Sequence, residues 1–372
     1  MSKQHELVQF SRGSATALGG GSKNLIINGG QQIWQRASAT TTVVNGQYGT
    51  VDRWAFNKGS SGAYTSTRST DVPSGQGFSY SNKLDVTTAD TSVGASEIYL
   101  LKHRIEAQNL ARLAYGTSGA KTITLSFWVK SNKTGTYTVA LYKFDNTTLN
   151  YVREFSISAA DTWEKKELTI TPTAGSTTHI TSSGGAIDVN NDMGLDVNFV
   201  LSLGSNYTGS TNDSWSTNGN HYGTTNNINW MDSTSNNFYI TGVQLETNSA
   251  GVATDFEHEP YSATLAKCQR YFQHHQGDYY TIFLNGSIDT TSGYINGPLT
   301  QVMRAKPSFS TANCYLYGRP SGTLTYTSLE NRCSTDHATM GFHGISGSLA
   351  NSAGMRFESN DSNGYVRYDA EL

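Results

Sequence analysis

Charge is scarce in this sequence: Asp, Glu, Lys and Arg together make up 15% of 372 residues, and the formal net charge is −3. A phosphate-binding surface needs a basic excess or a basic stripe. Neither is present, so nucleic acid is excluded as the main partner. Cysteine is almost absent. Cys268, Cys314 and Cys333 are odd in number and widely spaced, which is no disulfide framework and reads as free thiols in a reducing compartment. Six prolines and the lack of a Gly-X-Y period exclude a polyproline stalk and collagen. No apolar run approaches the ~20 residues of a membrane-spanning helix. The opening MSKQHELVQFSRGS has no apolar core, so no secretory leader is expected.

Uncharged polar residues and aromatics fill the space left by charge. There are 37 Gly, 21 Tyr, 14 Phe and 6 Trp. Disordered chains have few aromatics and high net charge. This composition instead suits solvated β-faces and long ordered loops.

Residues 1–23 run from a short mixed stretch into Leu-Gly-Gly-Gly-Ser and read as an extended arm ending in a glycine hinge. Within it Leu7, Val8, Phe10 and Arg12 are the candidates for docking to a larger particle. Strand texture begins at Asn24. The clearest case is 122–130: Ile123, Leu125, Phe127 and Val129 face one way, and Thr122, Thr124, Ser126, Trp128 and Lys130 the other. That period of two marks a half-buried strand. Lys133-Thr-Gly then predicts a turn, and Tyr137, Val139 and Leu141 resume the alternation as the second arm of a hairpin. Further strands are expected at 25–35, 53–56, 78–86, 153–157, 164–170, 196–203 and 237–245, with one helical turn within 106–113. Short strands with polar turns predict an all-β jelly-roll sandwich over 24–256.

Residues 257–275 break this texture. Pro260, Ser262 as N-cap, and Leu265, Cys268, Gln269 and Phe272 at helical spacing predict a linking helix. Strands expected at 279–284, 293–301, 308–317, 323–327, 340–345 and 354–358 make 276–372 a second, smaller β-sandwich.

No catalytic or cofactor fingerprint is present: no G-x-S-x-G elbow, no H-E-x-x-H, no P-loop. The doublet His274-His275 diverges and has no completing ligands, so no metal site is expected there. Asp188, Asp192 and Asp196, with Asn190 and Asn191, form an acid-and-amide loop whose oxygens could hold calcium, but it departs from the EF-hand pattern. The remaining candidate is the polar loop 205–235. It carries Tyr207, Trp215, His221, Tyr222 and Trp230 among Asn, Thr, Ser and Gly. Aromatic faces and short polar side chains are what a sugar pocket uses, and loops on rigid sandwiches commonly carry binding. The competing reading is that these rings pin the loop to its own domain or to a neighbouring subunit.

Three stretches carry a resemblance. They are Asn24-Leu-Ile-Ile-Asn-Gly-Gly-Gln-Gln-Ile-Trp-Gln-Arg36 followed by Val51-Asp-Arg-Trp54; the strand Thr122-Ile-Thr-Leu-Ser-Phe-Trp-Val-Lys-Ser131; and Phe238-Tyr-Ile-Thr-Gly-Val-Gln-Leu-Glu246 with Ala253-Thr-Asp-Phe-Glu-His-Glu-Pro-Tyr261 and Leu265-Ala-Lys-Cys-Gln-Arg-Tyr-Phe-Gln273. In order and spacing they resemble bacteriophage tail-fibre-like, receptor-binding virion proteins, over roughly residues 11–275. Gln301-Val-Met-Arg-Ala-Lys-Pro307 resembles a segment of their C-terminal domains. The resemblance implies a galactose-binding-like or carbohydrate-binding-module-like jelly roll in a virion protein, and the missing catalytic motifs add the expectation that it is not an enzyme. It further implies a homotrimer, with other virion proteins and a bacterial surface glycan as partners, assembled in the host cytoplasm. A tail fibre or tail tip is the expected place. A capsid-mounted head fibre or decoration protein, and a host-polysaccharide depolymerase, are the alternatives. The motif residues are expected to be structural, with Trp34, Trp54, Trp128 and Phe238 in the core and Asp52-Arg53 as a packed ion pair.

Overall fold

The computed structural model describes residues 22–37, 40–175, 177–248, 250–288, 292–318, 322–346 and 353–372. Leu7, Val8, Phe10 and Arg12 lie outside the described residues.

Strands dominate. The first part carries β1 (Thr41–Thr42), β2 (Trp54–Asn57), β3 (Ala63–Ser69), β4 (Ser81–Thr88), β5 (Ile98–Glu106), β6 (Ile123–Ser131), β7 (Gly135–Lys143), β8 (Leu149–Ile157), β9 (Glu164–Ile170), β10 (Met193–Leu203), β11 (Ser214–Ser216) and β12 (Asn237–Thr247). Among the described residues they form two six-stranded antiparallel sheets, ordered β1-β3-β4-β12-β6-β9 and β11-β8-β7-β10-β5-β2. The chain passes repeatedly from one sheet to the other, so most hydrogen-bonded neighbours are distant in sequence: a jelly-roll sandwich. The inward set expected on β6 is right, since Ile123, Leu125, Phe127 and Val129 are all buried in the core between the sheets. Trp34, Trp54 and Phe238 join that core, while Trp128 is half-buried on the other face of β6.

Three local expectations are corrected. β6 and β7 are not a hairpin. β6 pairs with β9 and β12, and β7 with β8 and β10. The Lys133-Thr-Gly turn crosses between sheets because each strand has an apolar face to bury, and Gly135 (φ 137°) makes the corner where a Cβ would lie 2.6 Å from Ile228. Residues 25–35 are not a strand but a plug. Asn28 (φ 59°) turns the chain, its Oδ1 accepting from the Gln32 and Ile33 amides at 2.8 and 3.0 Å and its Nδ2 donating to the Ile33 and Asp52 carbonyls. This leaves Leu25, Ile26 and Ile33 buried. Asp52 and Arg53 do not pair with each other. Asp52 accepts from the Gln35 amide at 3.0 Å and lies 3.9 Å from Arg36, whereas Arg53 pairs with Glu371.

The predicted helical turn is a 3₁₀ turn at Ala107–Leu113, with Leu110 and Leu113 buried. Helix α1 (Tyr261–Gln269) is shorter than expected. Pro260, not Ser262, is its N-cap, and no side chain caps it. Phe272 and the His274-His275 pair belong to the next strand.

That strand, β13 (Phe272–Gly277), opens the second part: β14 (Ile282–Ile288), β15 (Ser292–Pro298), β16 (Ser308–Ala312), β17 (Cys314–Gly318), β18 (Gly322–Leu324), β19 (Ser328–Asn331), β20 (His337–His343), β21 (Ala353–Ser359) and β22 (Gly364–Asp369). They form a three-stranded sheet, β13-β22-β16, and a seven-stranded sheet, β18-β17-β21-β14-β15-β20-β19. The single strand expected at 308–317 is two strands in different sheets, divided at Asn313 (φ 49°). A separate apolar core, from Leu284 to Ala370, lies within this part. The three cysteines are unpaired.

The two parts meet through polar contacts. Arg270 grips Glu106 with two bonds of 2.9 and 3.0 Å. Arg304 donates to the Asn191 carbonyl at 2.7 Å and to the Ala370 carbonyl at 2.9 Å. The Arg53 guanidinium lies 3.4 Å from the Tyr271 ring centre.

Candidate functional site

The second sheet has one face in the core and one facing outward. Cross-strand register sets what the outer face displays. Asn150 on β8, Tyr142 on β7, Asp196 on β10 and Arg104 on β5 form one row, and Val152, Ala140, Asn198, Lys102 and Ala55 the next. The loop after β10 folds back over this face. Tyr222 stacks on Tyr142, rings 6.0 Å apart and 5° from parallel, and packs on Ala140, Val152 and Val200. Tyr207 meets Tyr222 edge-on at 6.0 Å. Two amides, of Tyr222 and Gly223, donate to the Tyr207 carbonyl at 2.9 and 3.2 Å. Thr138 Oγ1 donates to Asn227 Oδ1 at 2.7 Å, and Asn150 donates to the His221 carbonyl, so strand side chains hold the loop in place. His221 is half-buried, its ring 3.1 Å from the Asn218 amide nitrogen.

Beside these rings lies a charged group. Arg104 Nε is 3.5 Å from Asp196 Oδ1. Burial raises the Asp196 carboxyl to about 6, against the opposing pull of Arg104 and Lys102. Burial lowers Lys102, with Asp196 opposing. Burial, reinforced by Tyr142 and Asp196, pushes the Tyr222 phenol up to about 12. The site therefore combines stacked aromatic faces, two partly desolvated cations and a carboxyl that ionises late. It can hold an apolar ring face against Tyr222 and Tyr142 while bonding hydroxyls through Arg104 and the exposed Asn218, with Asp196 buried beneath and holding Arg104.

Of the five loop residues read from sequence, Tyr207, His221 and Tyr222 come together here. Trp215 and Trp230 do not. Trp215 is 1% exposed, donates from Nε1 to the Thr171 carbonyl at 3.0 Å and packs between Tyr115 and Tyr151. Trp230 is 0% exposed, donates to the Asn237 carbonyl at 3.0 Å and meets Tyr64 edge-on. Both indoles satisfy their only donor inside the domain, which removes them as ligand platforms. The three acids Asp188, Asp192 and Asp196 do not converge on one point. Asp196 is in β10 facing Arg104, the Asp188 amide bonds Asp145, and the described residues hold no cluster of three His, Cys, Asp or Glu fit for a metal.

Sequence reading missed Tyr142, Arg104 and Lys102. Tyr142 was legible, since it follows Leu141 in a strict alternation. Arg104 and Lys102 were not, because β5 reads Ile-Tyr-Leu-Leu-Lys-His-Arg-Ile-Glu and buries residues on both faces.

No protein-family model matches the chain, and no curated protein matches it. Among solved structures it is similar to the enzymatically active domain of tailspike protein 4 of bacteriophage CBA120, at 13% identity and a TM-score of 0.29 over 61% of this chain; the match spans 22% of that tailspike chain. It is also similar to the family 11 carbohydrate-binding module of a cellulosomal cellulase of Clostridium thermocellum (11% identity, 57% of this chain, 96% of the module, TM-score 0.28). A third is TmCBM61, solved with β-1,4-galactotriose (12% identity, 61% of this chain, 100% of the module, TM-score 0.26).

Proposed function

We propose that this chain is a glycan-binding structural subunit of a bacteriophage particle, a tail fibre or tail-tip protein without enzymatic activity, that attaches the particle to its host. The observation that carries the binding half is the Tyr142–Tyr222 stack beside Asp196 and Arg104 on the outer face of a rigid sheet. The phage half draws on the motif resemblance in residues 11–275. Residues 1–23 dock the subunit to other virion proteins, and a homotrimer presents several sites at once. Weak contacts to surface glycan then gain strength through effective concentration.

The binding half is tested by passing purified full-length protein over immobilised host-surface polysaccharide. Wild type is retained and Tyr222→Ala is not; equal retention of both removes this site. Immunogold labelling of purified particles tests the other half. Label on the tail supports it, label confined to the capsid makes the chain a head fibre or decoration protein, and absence from particles ends the virion reading. A depolymerase reading would use Asp196, but glycoside hydrolysis needs two facing carboxylates and the charged groups facing Asp196 are Arg104 and Lys102. Release of reducing ends from the same polysaccharide, lost in Asp196→Asn, would replace adhesion by hydrolysis.

A further inference from the structure

The seven-stranded sheet of the second part also has an outward face, and it carries large exposed side chains. Leu284, Ile295, Leu316, Met340, Phe342 and Phe357 point into the core. Their neighbours along each strand must then point away. On β17 these are Tyr315 and Tyr317, paired across to Glu358 and Arg356 on β21. Arg356 is paired in turn with Asn285 on β14, and Asn285 with Asn296 on β15. Tyr294, two residues before Asn296, therefore shares the face, and its partner on β20 is Gly341.

Two arrangements on this face repeat one another. The Arg356 guanidinium lies 4.5 Å from the Tyr317 ring centre, with Nε 2.7 Å from Glu358 Oε2. The Arg332 guanidinium lies 4.6 Å from the Tyr294 ring centre, with Nε 2.7 Å from Glu330 Oε2. Each is a tyrosine covered by an arginine that is paired with a glutamate two residues away in sequence. Three strand steps separate β17 from β15, roughly 14 Å. Near the first arrangement stand Tyr279 and Tyr280, 59% and 60% exposed, with rings 4.1 Å apart. Tyr280 is fixed in the left-handed region (φ 64°) by its amide bond to the Ser359 carbonyl at 3.1 Å. A bulky residue held there is uncommon.

We infer that this face is a second, separate glycan-binding surface, taking an extended neutral oligosaccharide across two tyrosine–arginine–glutamate subsites. Each arginine–glutamate pair is electroneutral, so neither an anionic nor a cationic ligand is favoured. The Arg332–Glu330 pair, 48% and 44% exposed, offers both functions that vicinal hydroxyls need, and the first arrangement offers the Arg356 guanidinium. A carboxylate has about four acceptor positions and a guanidinium five donors, and the mutual contact uses few of them. Glu358 is 1% exposed and out of a ligand's reach; it holds the Arg356 guanidinium over Tyr317. Phenol rings supply flat apolar faces for the C–H side of a sugar. Tyrosine and arginine also suit a protein interface, so a second copy of the chain is the competing occupant, which gel filtration separates.

This inference does not rest on the jelly-roll site and is tested in its absence. Full-length protein carrying Tyr222→Ala is run through native gels containing dextran, mixed-linkage β-glucan, galactomannan or β-1,4-galactan, with alginate as the acidic comparison. At least one neutral gel retards it more than alginate does. Adding Tyr294→Ala and Tyr317→Ala weakens that retardation about tenfold or more, the scale of losing one principal contact. Glu330→Gln, which keeps shape at a 44% exposed position, weakens it in the same gel and decides the matter if the double variant melts early. No retardation in any neutral gel, unchanged retardation in these variants, or a change of oligomeric state on gel filtration in place of lost binding would each overturn the inference.

Discussion

Arg53 and Glu371 lie 318 positions apart in the chain, and their side chains form a buried ion pair between the two parts of the molecule. Arg53 is fully buried, its guanidinium resting on Tyr271 and its Nη2 donating to the Arg104 carbonyl at 2.7 Å. Glu371 also faces Arg36 at 3.2 Å, and Arg104 donates to the Leu372 carbonyl. The second part is thereby fastened next to the outer face that carries Asp196.

Removing one partner of a buried pair strands the other charge, at about 3–5 kcal/mol. Arg53→Met should destabilise the protein by the lower end of that range in urea unfolding, about 3 kcal/mol, because Arg36 still faces Glu371. Arg53→Met with Glu371→Leu should recover most of it. A single-variant loss below ~1 kcal/mol would mean that water reaches the pair.

Asp196 makes a pH prediction. Its carboxyl ionises at about 6 in the folded protein, above its ordinary value of 3.8. The folded state thus holds the proton more tightly, and the contribution is full below about pH 4 and lost as pH rises through about 6. Asp196→Asn should remove this component. The stability difference between variant and wild type should move in the variant's favour by roughly 2–3 kcal/mol between pH 4 and 7. A difference that stays flat across this range would show that Asp196 is not perturbed.

Trp215 and Tyr222, seven residues apart in one loop, should behave oppositely. Trp215→Ala empties a buried indole site and should cost about 3–5 kcal/mol, read as a lowered midpoint of thermal unfolding. Tyr222→Ala removes a half-buried ring and should lose glycan retention with a much smaller thermal shift. Equal destabilisation by both would make Tyr222 a packing residue only.

The plug depends on Asn28. Its carboxamide makes four bonds to backbone groups, three of them buried and the one from the Gln32 amide part-buried. Asn28→Ala leaves those groups without partners and should cost about 3 kcal/mol. Asn28→Asp, which keeps the acceptor but sets a second carboxylate oxygen against the Ile33 and Asp52 carbonyls, should cost at least as much. Hydrogen exchange at the Gln32 and Ile33 amides reports the same loss locally.

Much of the fold was legible in the sequence. Alternation placed Ile123, Leu125, Phe127 and Val129 in the core, and turn residues placed most strands within a few positions. The plug was misread because Leu-Ile-Ile and Ile-Trp look like strand, while the turn is made by the Asn28 side chain. Less of the candidate site was legible. Tyr207, His221 and Tyr222 come together on the outer face, while Trp215 and Trp230, with the same local composition, lie in the core.

The sequence by itself determined that the chain is built of strands and which side chains of the strongly alternating ones avoid water, because a period of two is a local property of the backbone. It did not determine which sheet a strand joins, or which aromatic a loop turns outward. Those depend on register and on what packs across: β7 beside β10 sets Tyr142 against Asp196, and β17 beside β21 sets Tyr317 against Arg356. Only the tertiary structure decided them, since partners so distant in the chain leave no mark on each other's neighbours.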